Sequence, residues 1–187
     1  DTTRITLSGV DGRVILPNNS PGVQFGDGRI QQYAGGKIRQ IIYTETQTSD
    51  STTSNSLVDT PLQATITPRD VTSKIHIIAA VSLGGASTNA GAVGLRRGST
   101  DIALGTAGNN RVQAAAGFTG QGTNSVDNVT LQYMDSPTST SALTYKVTFE
   151  SSGGNTTYFN RTPNDSDTQE TIRPISTMTL MEVVTGA

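Results

Sequence analysis

The chain has 187 residues, of which 33% are hydrophobic and only 15% charged, with a net charge of −2, no Cys and no Trp. Disordered chains pair low hydrophobicity with high net charge, and the second is missing here. Nucleic-acid binding needs clustered Lys and Arg to displace counterions, thiolate zinc sites need Cys, and no apolar run approaches a membrane span. The one basic doublet, Arg96-Arg97, reads as a solvated strand end. No signal peptide is visible, and a chain that starts at Asp1 without Met is expected to be a fragment or processed product of something longer.

Residues 1–36 differ from the rest. Short apolar alternations (Ile5 and Leu7, Val14 and Leu16, Val23 and Phe25, Ile30) are cut at brief intervals by turn chemistry. Asp11-Gly12, Pro17-Asn18-Asn19, Pro21-Gly22, Gly26-Asp27-Gly28 and Gly35-Gly36 are the breaks. Strands this short cannot bury an apolar face alone. The segment must pack on the following domain or wrap with identical chains, and it reads as an intertwined β stem, a trimerisation segment.

Residues 37–187 read as one domain. Lys37 to Thr48 alternates around Ile38, Ile42 and Thr44 and runs into a Ser/Thr-rich stretch, Asp50 to Asn55, that fits a loop or an exposed edge. Leu62, Ala64 and Ile66 alternate up to Pro68. Lys74 to Leu83, KIHIIAAVSL, is the most apolar stretch and predicts a central strand. Gly84 to Ala90 reads as a small-residue loop, Arg97-Gly98-Ser99 as a hairpin turn, Ala114 to Ala116 as ambiguous between helix and strand, and Gly117 to Asn124 as a Gly-rich tip. Further strands follow over Val126 to Met134, Leu143 to Ser151, Thr156 to Asn160 and Ser176 to Val184. In Leu143 to Ser151 the residues Leu143, Tyr145, Val147 and Phe149 point inward, and Thr144, Lys146, Thr148 and Glu150 outward. Nine or ten closely spaced strands without a βαβ rhythm predict an all-β protein, an antiparallel β-sandwich of jelly-roll type.

The search for chemistry yields no catalytic, cofactor or metal residue. A Ser nucleophile needs a base, and the single histidine, His76, sits within the most strand-like segment with no G-x-S-x-G elbow. Glycoside hydrolysis needs two flanking carboxylates. Glu45, Glu150, Glu170 and Glu182 are few, with Glu150 and Glu182 at expected solvent-facing strand positions and Asp135 before Ser-Pro as a turn-former. Asp165-Ser-Asp167-Thr-Gln-Glu170 has oxygen ligands at alternate positions, as calcium prefers, but lacks the central Gly of an EF-hand; a solvated loop is the plainer alternative. The Gly-rich pieces lack the Lys-Ser/Thr ending of a phosphate cradle. Binding on a sandwich falls to loops held by rigid sheets. The candidate contact residues are Ser87, Asn89, Asn109, Asn110, Gln121 and Asn124, whose amides and hydroxyls suit sugar recognition.

The pieces KIRQIIYTETQTSDSTTSNSLVDTPLQATITPRDVTSKIHIIAAVSL, LRRGSTDIALGTA, YMDSPTSTSALTYKV, TTYFNRT and STMTLMEV stand in order over nearly all of 37–187. Together they resemble a small β-sandwich domain common in phages of marine and freshwater bacteria. LPNN followed by VQFGDGRIQQYAGG, within 12–36, resembles the stem repeats of bacteriophage tail fibres. The resemblance implies a structural protein of the virion surface, assembled in the host cytoplasm. It implies a homotrimer joined to other virion proteins on its N-terminal side, with a head that contacts a host-surface glycan or protein. It transfers no functional residues. A head fibre or capsid decoration protein is the alternative, and a small polysaccharide depolymerase a third. Neither nucleic acid nor membrane insertion is expected.

Overall fold

The computed structural model describes residues 37–184, together with the backbone of two short strands, β1 (Val23–Gln24) and β2 (Ile30–Gln31). The chain divides into two compact units, Asp1–Gly36 and Lys37–Ala187. In the first, β1 and β2 pair antiparallel, Val23 opposite Gln31 and Gln24 opposite Ile30, on either side of the Gly26-Asp27-Gly28 turn signal. The other expected short strands of that segment, and their winding with other copies, lie outside the described residues.

The second unit is all-β among the described residues, apart from one 3₁₀ turn at Ser152–Gly154. Its strands are β3 (Ile38–Thr46), β4 (Asp50–Thr52), β5 (Val58–Ile66), β6 (Lys74–Gly85), β7 (Ala90–Arg97), β8 (Thr100–Ile102) and β9 (Ala116–Thr119). β10 (Asp127–Asp135), β11 (Leu143–Ser151), β12 (Thr157–Phe159) and β13 (Ser176–Val183) complete it. One sheet runs β3-β13-β6-β10, with the short β12 and β4 continuing beyond β13 along the same edge of β6. The other runs β5-β11-β7, and β7 pairs on its far edge with β8 and β9. Successive long strands alternate between the two sheets, and with β8 and β9 taken as one interrupted strand the two orders are those of a jelly roll. The predicted antiparallel β-sandwich is the fold observed.

The core follows from period-two alternation. Ile75, Ile77, Ala79, Val81 and Leu83 of β6 face Leu62, Ala64 and Ile66 of β5 and Tyr145, Val147 and Phe149 of β11, with Met178 and Leu180 of β13 beside them, all buried. Phe149 and Phe159 meet edge to face, ring centroids 6.2 Å apart. The Arg97-Gly98-Ser99 hairpin forms, with Gly98 at φ +59°.

Two glycine segments differ from expectation. Gly84 and Gly85 belong to β6, where they pair with Tyr158 and Thr157 of β12, and glycine is needed because a Cβ on Gly84 would stand 2.4 Å from the Arg161 carbonyl oxygen. Gly117 lies within β9, which also resolves the Ala114-Ala115-Ala116 ambiguity in favour of a strand beginning at Ala116. Pairing with β7 outweighs alanine's helical preference there.

Candidate functional site

Three carboxylates expected at the surface or in a turn are buried. Asp135 is the last residue of β10 rather than a free turn-former. Its Oδ2 accepts the Tyr145 hydroxyl at 2.7 Å and Arg97 Nη1 at 2.7 Å. Burial pushes the Tyr145 phenol well above its ordinary range, and the adjacent carboxylate pushes it further. Glu182 is fully buried, facing inward in register with Met178 and Leu180. It receives Gln40 Nε2 at 2.7 Å and the Arg69 backbone N–H at 2.8 Å. Burial alone favours its neutral form, but these donors and the nearby Arg39 charge together hold its carboxyl below the usual range. Glu150 is 1% exposed. Burial raises its carboxyl, and the Ser152 hydroxyl at 3.2 Å and the Ala92 backbone N–H offset that only in part.

The outward expectation for Thr148 and Glu150 fails because the outer face of β11 is covered. The space above Gly94 is filled by Thr148 Oγ1 and by Leu57, from the segment before β5, and Ser151 N–H donates to the Ser54 carbonyl at 2.8 Å. The basic doublet is likewise tied down. Arg96 reaches Asp59, as well as Asp101 at 2.7 Å, and Arg97 reaches Asp135. His76 lies on the outer face of its sheet with Nε2 2.9 Å from Gln132 Nε2.

Of the predicted contact residues, Ser87 and Gln121 are exposed and Asn124 partly so, and their loops meet. Thr88 N–H donates to the Gly120 carbonyl at 3.3 Å, and Gly120 N–H to the Asn89 carbonyl at 2.7 Å. Asn164, which is not among those six residues but lies in the loop 160–170 that also reads as a candidate for binding, ties a third loop to them: its N–H donates to the Thr123 carbonyl at 2.8 Å and its Nδ2 to Asn124 Oδ1 at 3.1 Å. Asn124 Nδ2 in turn donates to Glu170 at 3.0 Å. Asn109 and Asn110 are exposed in the connection from β8 to β9, at the tight turn closed by Gly108 and Arg111.

Asn89 is different. It is 1% exposed, and its Nδ2 donates to the Thr156 carbonyl at 2.9 Å, so it positions the β6–β7 loop from beneath instead of facing a partner.

Two carboxylates of the acidic stretch 165–170 are committed, Asp165 to cations and Glu170 to an amide. Arg173 grips Asp165 with two hydrogen bonds, at 2.9 and 2.7 Å, which lowers that carboxyl, while Glu170 is held by Asn124. Among the described residues no group of three or more His, Cys, Asp or Glu is placed to hold a metal ion. The Arg161 guanidinium sits 4.1 Å over the Tyr158 ring. A strand sets residues three apart on opposite faces, so the Y-x-x-R spacing in TTYFNRT does not announce this contact; Asn160, at φ +54°, breaks the alternation between them.

The chain therefore presents a polar rim of Ser87, Gln121, Asn124, Asn164 and Glu170 built on three hydrogen-bonded loops. Its donors and acceptors suit a hydroxyl-rich ligand. No family model matches the chain, and no curated protein matches it. Among solved structures it is similar to a chain in the structure of the Gx strain of infectious bursal disease virus. The TM-score is 0.35 with 12% identity over 89% of this chain and 43% of that one. The chain thus spans less than half the length of that neighbour, and a likeness this remote assigns no function.

Proposed function

We propose that this chain is a non-enzymatic structural protein of a bacteriophage particle surface, a trimeric fibre whose 37–187 unit contacts the host. The observation that carries the reading is the use made of its ionisable groups. Asp135, Glu182, Asp59 and Asp165 are each spent on a named structural partner, and His76 pairs with an amide. A general acid or base needs a reachable proton and a substrate pose around it, and these groups are occupied in holding strands and loops. What remains for function is the rim of amides and hydroxyls. The resemblance of 12–36 to fibre stem repeats supports the trimer. Three copies of a weak site gain from effective concentration once one is engaged.

The test is native mass measurement of the full chain together with competition for adsorption. The expected result is a particle of three chains that slows adsorption of the phage to its host when added in excess. A stable monomer at micromolar concentration overturns the trimer. Unimpeded adsorption, with labelled chain located on the capsid shell, replaces the attachment role by decoration. Release of reducing sugar from host envelope polysaccharide overturns the non-enzymatic reading.

A further inference from the structure

Among the described residues the first sheet ends on β3, which pairs with β13 alone and leaves its other edge unbonded. An unpaired edge is a template for another strand unless it is blunted by shortness, charge, Pro or a bulge. The other edges are blunted. β4, β8 and β9 have three or four residues. β5 carries Pro61 inside a register shift where Gln63 pairs with Lys146 and Asp59 with Thr148, and Thr60 Oγ1 replaces a ladder bond by donating to the Val147 carbonyl at 2.9 Å. β10 is long but acidic at both ends, Asp127 and Asp135, with no cation between; self-pairing about its centre would set like charge against like.

Between Gln40 and Thr46 β3 has no Pro and no bulge, and its single charge there is Glu45; its one irregularity is the register shift that leaves Arg39 extra opposite Glu182 and Val183. The outer face beside that edge is also apolar. The ladder registers align Ile41, Met181, His76 and Met134 in one row across four strands, and Tyr43, Thr179, Ile78 and Gln132 in the next. Ile41 and Tyr43 are each 58% exposed.

We propose that the occupant of this edge is the β3 strand of a second copy, paired antiparallel about a two-fold axis through Ile42. β3 contains two charges, Arg39 and Glu45, and Ile42 is their midpoint. Pairing about Ile42 sets Arg39 of each copy opposite Glu45 of the other, and Ile41 opposite Tyr43, on the same outer face. Opposite charges directly across an antiparallel pair stabilise it and like charges oppose it, so sequence fixes the register as well as the partner. In the single chain Arg39 stands 3.6 Å from Asp70 and Glu45 accepts the Tyr43 hydroxyl at 2.8 Å. Both side chains lie at the surface, with capacity for a further bond. A closed, self-complementary contact of this kind is what a two-fold interface requires. The proposed pairs are formed by residues 39–45 of β3.

The absence of Cys permits a direct test in the full chain. Ile42→Cys places the two thiols opposite each other, with Cβ atoms about 4.5–5.5 Å apart in an ideal pair, near the reach of a disulfide. The expected result is a covalent two-chain product on mild oxidation, read on a denaturing gel and so unaffected by any non-covalent trimer. Thr44→Cys is the control: its thiols stand about 13 Å apart in the proposed register and yield no product. Adding Glu45→Arg to the Ile42→Cys chain should cut the yield about tenfold, and adding Arg39→Glu as well should restore it. Because Ile42 is partly buried, an equimolar mixture of Ile41→Cys and Tyr43→Cys chains, both at exposed positions, provides a second reading and should cross-link between the two. No product in either system, product from Thr44→Cys equal to that from Ile42→Cys, or yields indifferent to the charge reversals overturns the proposal.

Discussion

Tyr145 donates its hydroxyl to Asp135 Oδ2 at 2.7 Å from one sheet of the sandwich to the other. The two residues flank the β10–β11 connection, so the bond fixes where the chain leaves one sheet and enters the next. Tyr145 is fully buried, and Arg97 completes the site. Tyr145→Phe keeps the packing and removes one bond to a charged acceptor, at a cost of about 1.5–3 kcal/mol. Asp135→Ala costs more than Tyr145→Phe, because it strands both a buried hydroxyl and a guanidinium. Urea unfolding at pH 7 should show the midpoint falling in that order with an unchanged m-value; equal midpoints would remove the cross-sheet role.

The architecture was legible where alternation is uncluttered. KIHIIAAVSL became the central strand β6 and LTYKVTFES became β11, the latter with its inward residues as read, because a strand leaves a period-two trace. The site was far less legible. Alternation sorts side chains to two faces but does not say whether the outer face is wet. At Thr148 and Glu150 it is dry because Leu57, about ninety residues earlier, lies over it. Glu182 alternates with Met178 and Leu180, which marks it as inward, yet a carboxylate there reads as a surface residue until Gln40 and the Arg69 N–H are seen to meet it. Asn89 shows the same limit in a loop: turn residues are read as exposed, and this one is a peg.

Glu182 and Glu150 bend the pH dependence of stability in opposite directions. For Glu182 the folded carboxyl titrates below its unfolded value. Its contribution is complete above the ordinary glutamate range and is lost as pH falls through the lower, folded value. For Glu150 the folded carboxyl titrates above its unfolded value. No penalty exists below the ordinary range, and one develops as pH rises through the higher, folded value. Glu182→Gln should therefore lower the melting temperature at pH 7 and matter little in strong acid. Glu150→Gln should raise it at pH 7 and leave it nearly unchanged at pH 3. Calorimetry of both variants across pH 3–8 tests the signs, and parallel shifts at every pH would contradict them.

Asn160 holds a left-handed backbone, φ +54°, while fully buried. Asparagine tolerates that conformation better than most residues, and its side chain is used at both ends. Nδ2 donates to the Thr46 carbonyl at 2.9 Å and Oδ1 accepts the Ser176 hydroxyl at 2.6 Å. It thereby clamps the end of β3 to the start of β13. Asn160→Gly relieves the backbone but deletes the clamp, and Asn160→Ala incurs both losses. The expected order of stability is wild type, then Gly, then Ala, with the first step about 1–3 kcal/mol for buried groups left unpaired. Hydrogen exchange should locate the loosening at Thr46 and Ser176; an Ala variant as stable as the Gly variant would show that the backbone conformation carries no strain.

Asn89 and the rim residues separate stability from binding. Ser87 and Gln121 lie exposed on the loops that face solvent, and replacing either by Ala shifts stability by no more than about 0.5 kcal/mol; Asn124→Ala also cuts the bonds to Asn164 and Glu170 and costs about 1 kcal/mol. Asn89→Ala removes the buried donor to the Thr156 carbonyl and leaves that carbonyl and the Ser151 hydroxyl, 3.5 Å from Asn89 Oδ1, short of a partner. Its expected cost is about 1–3 kcal/mol. If the rim is the attachment surface, the Ser87 and Gln121 variants should melt with the wild type yet compete less well for adsorption. The Asn89 variant should melt lower and, at a temperature where it is folded, compete nearly as well. Rim variants that compete at full strength, measured beside their melting curves, would move the attachment surface elsewhere on the sandwich, with the Asn109-Asn110 turn the next place to substitute.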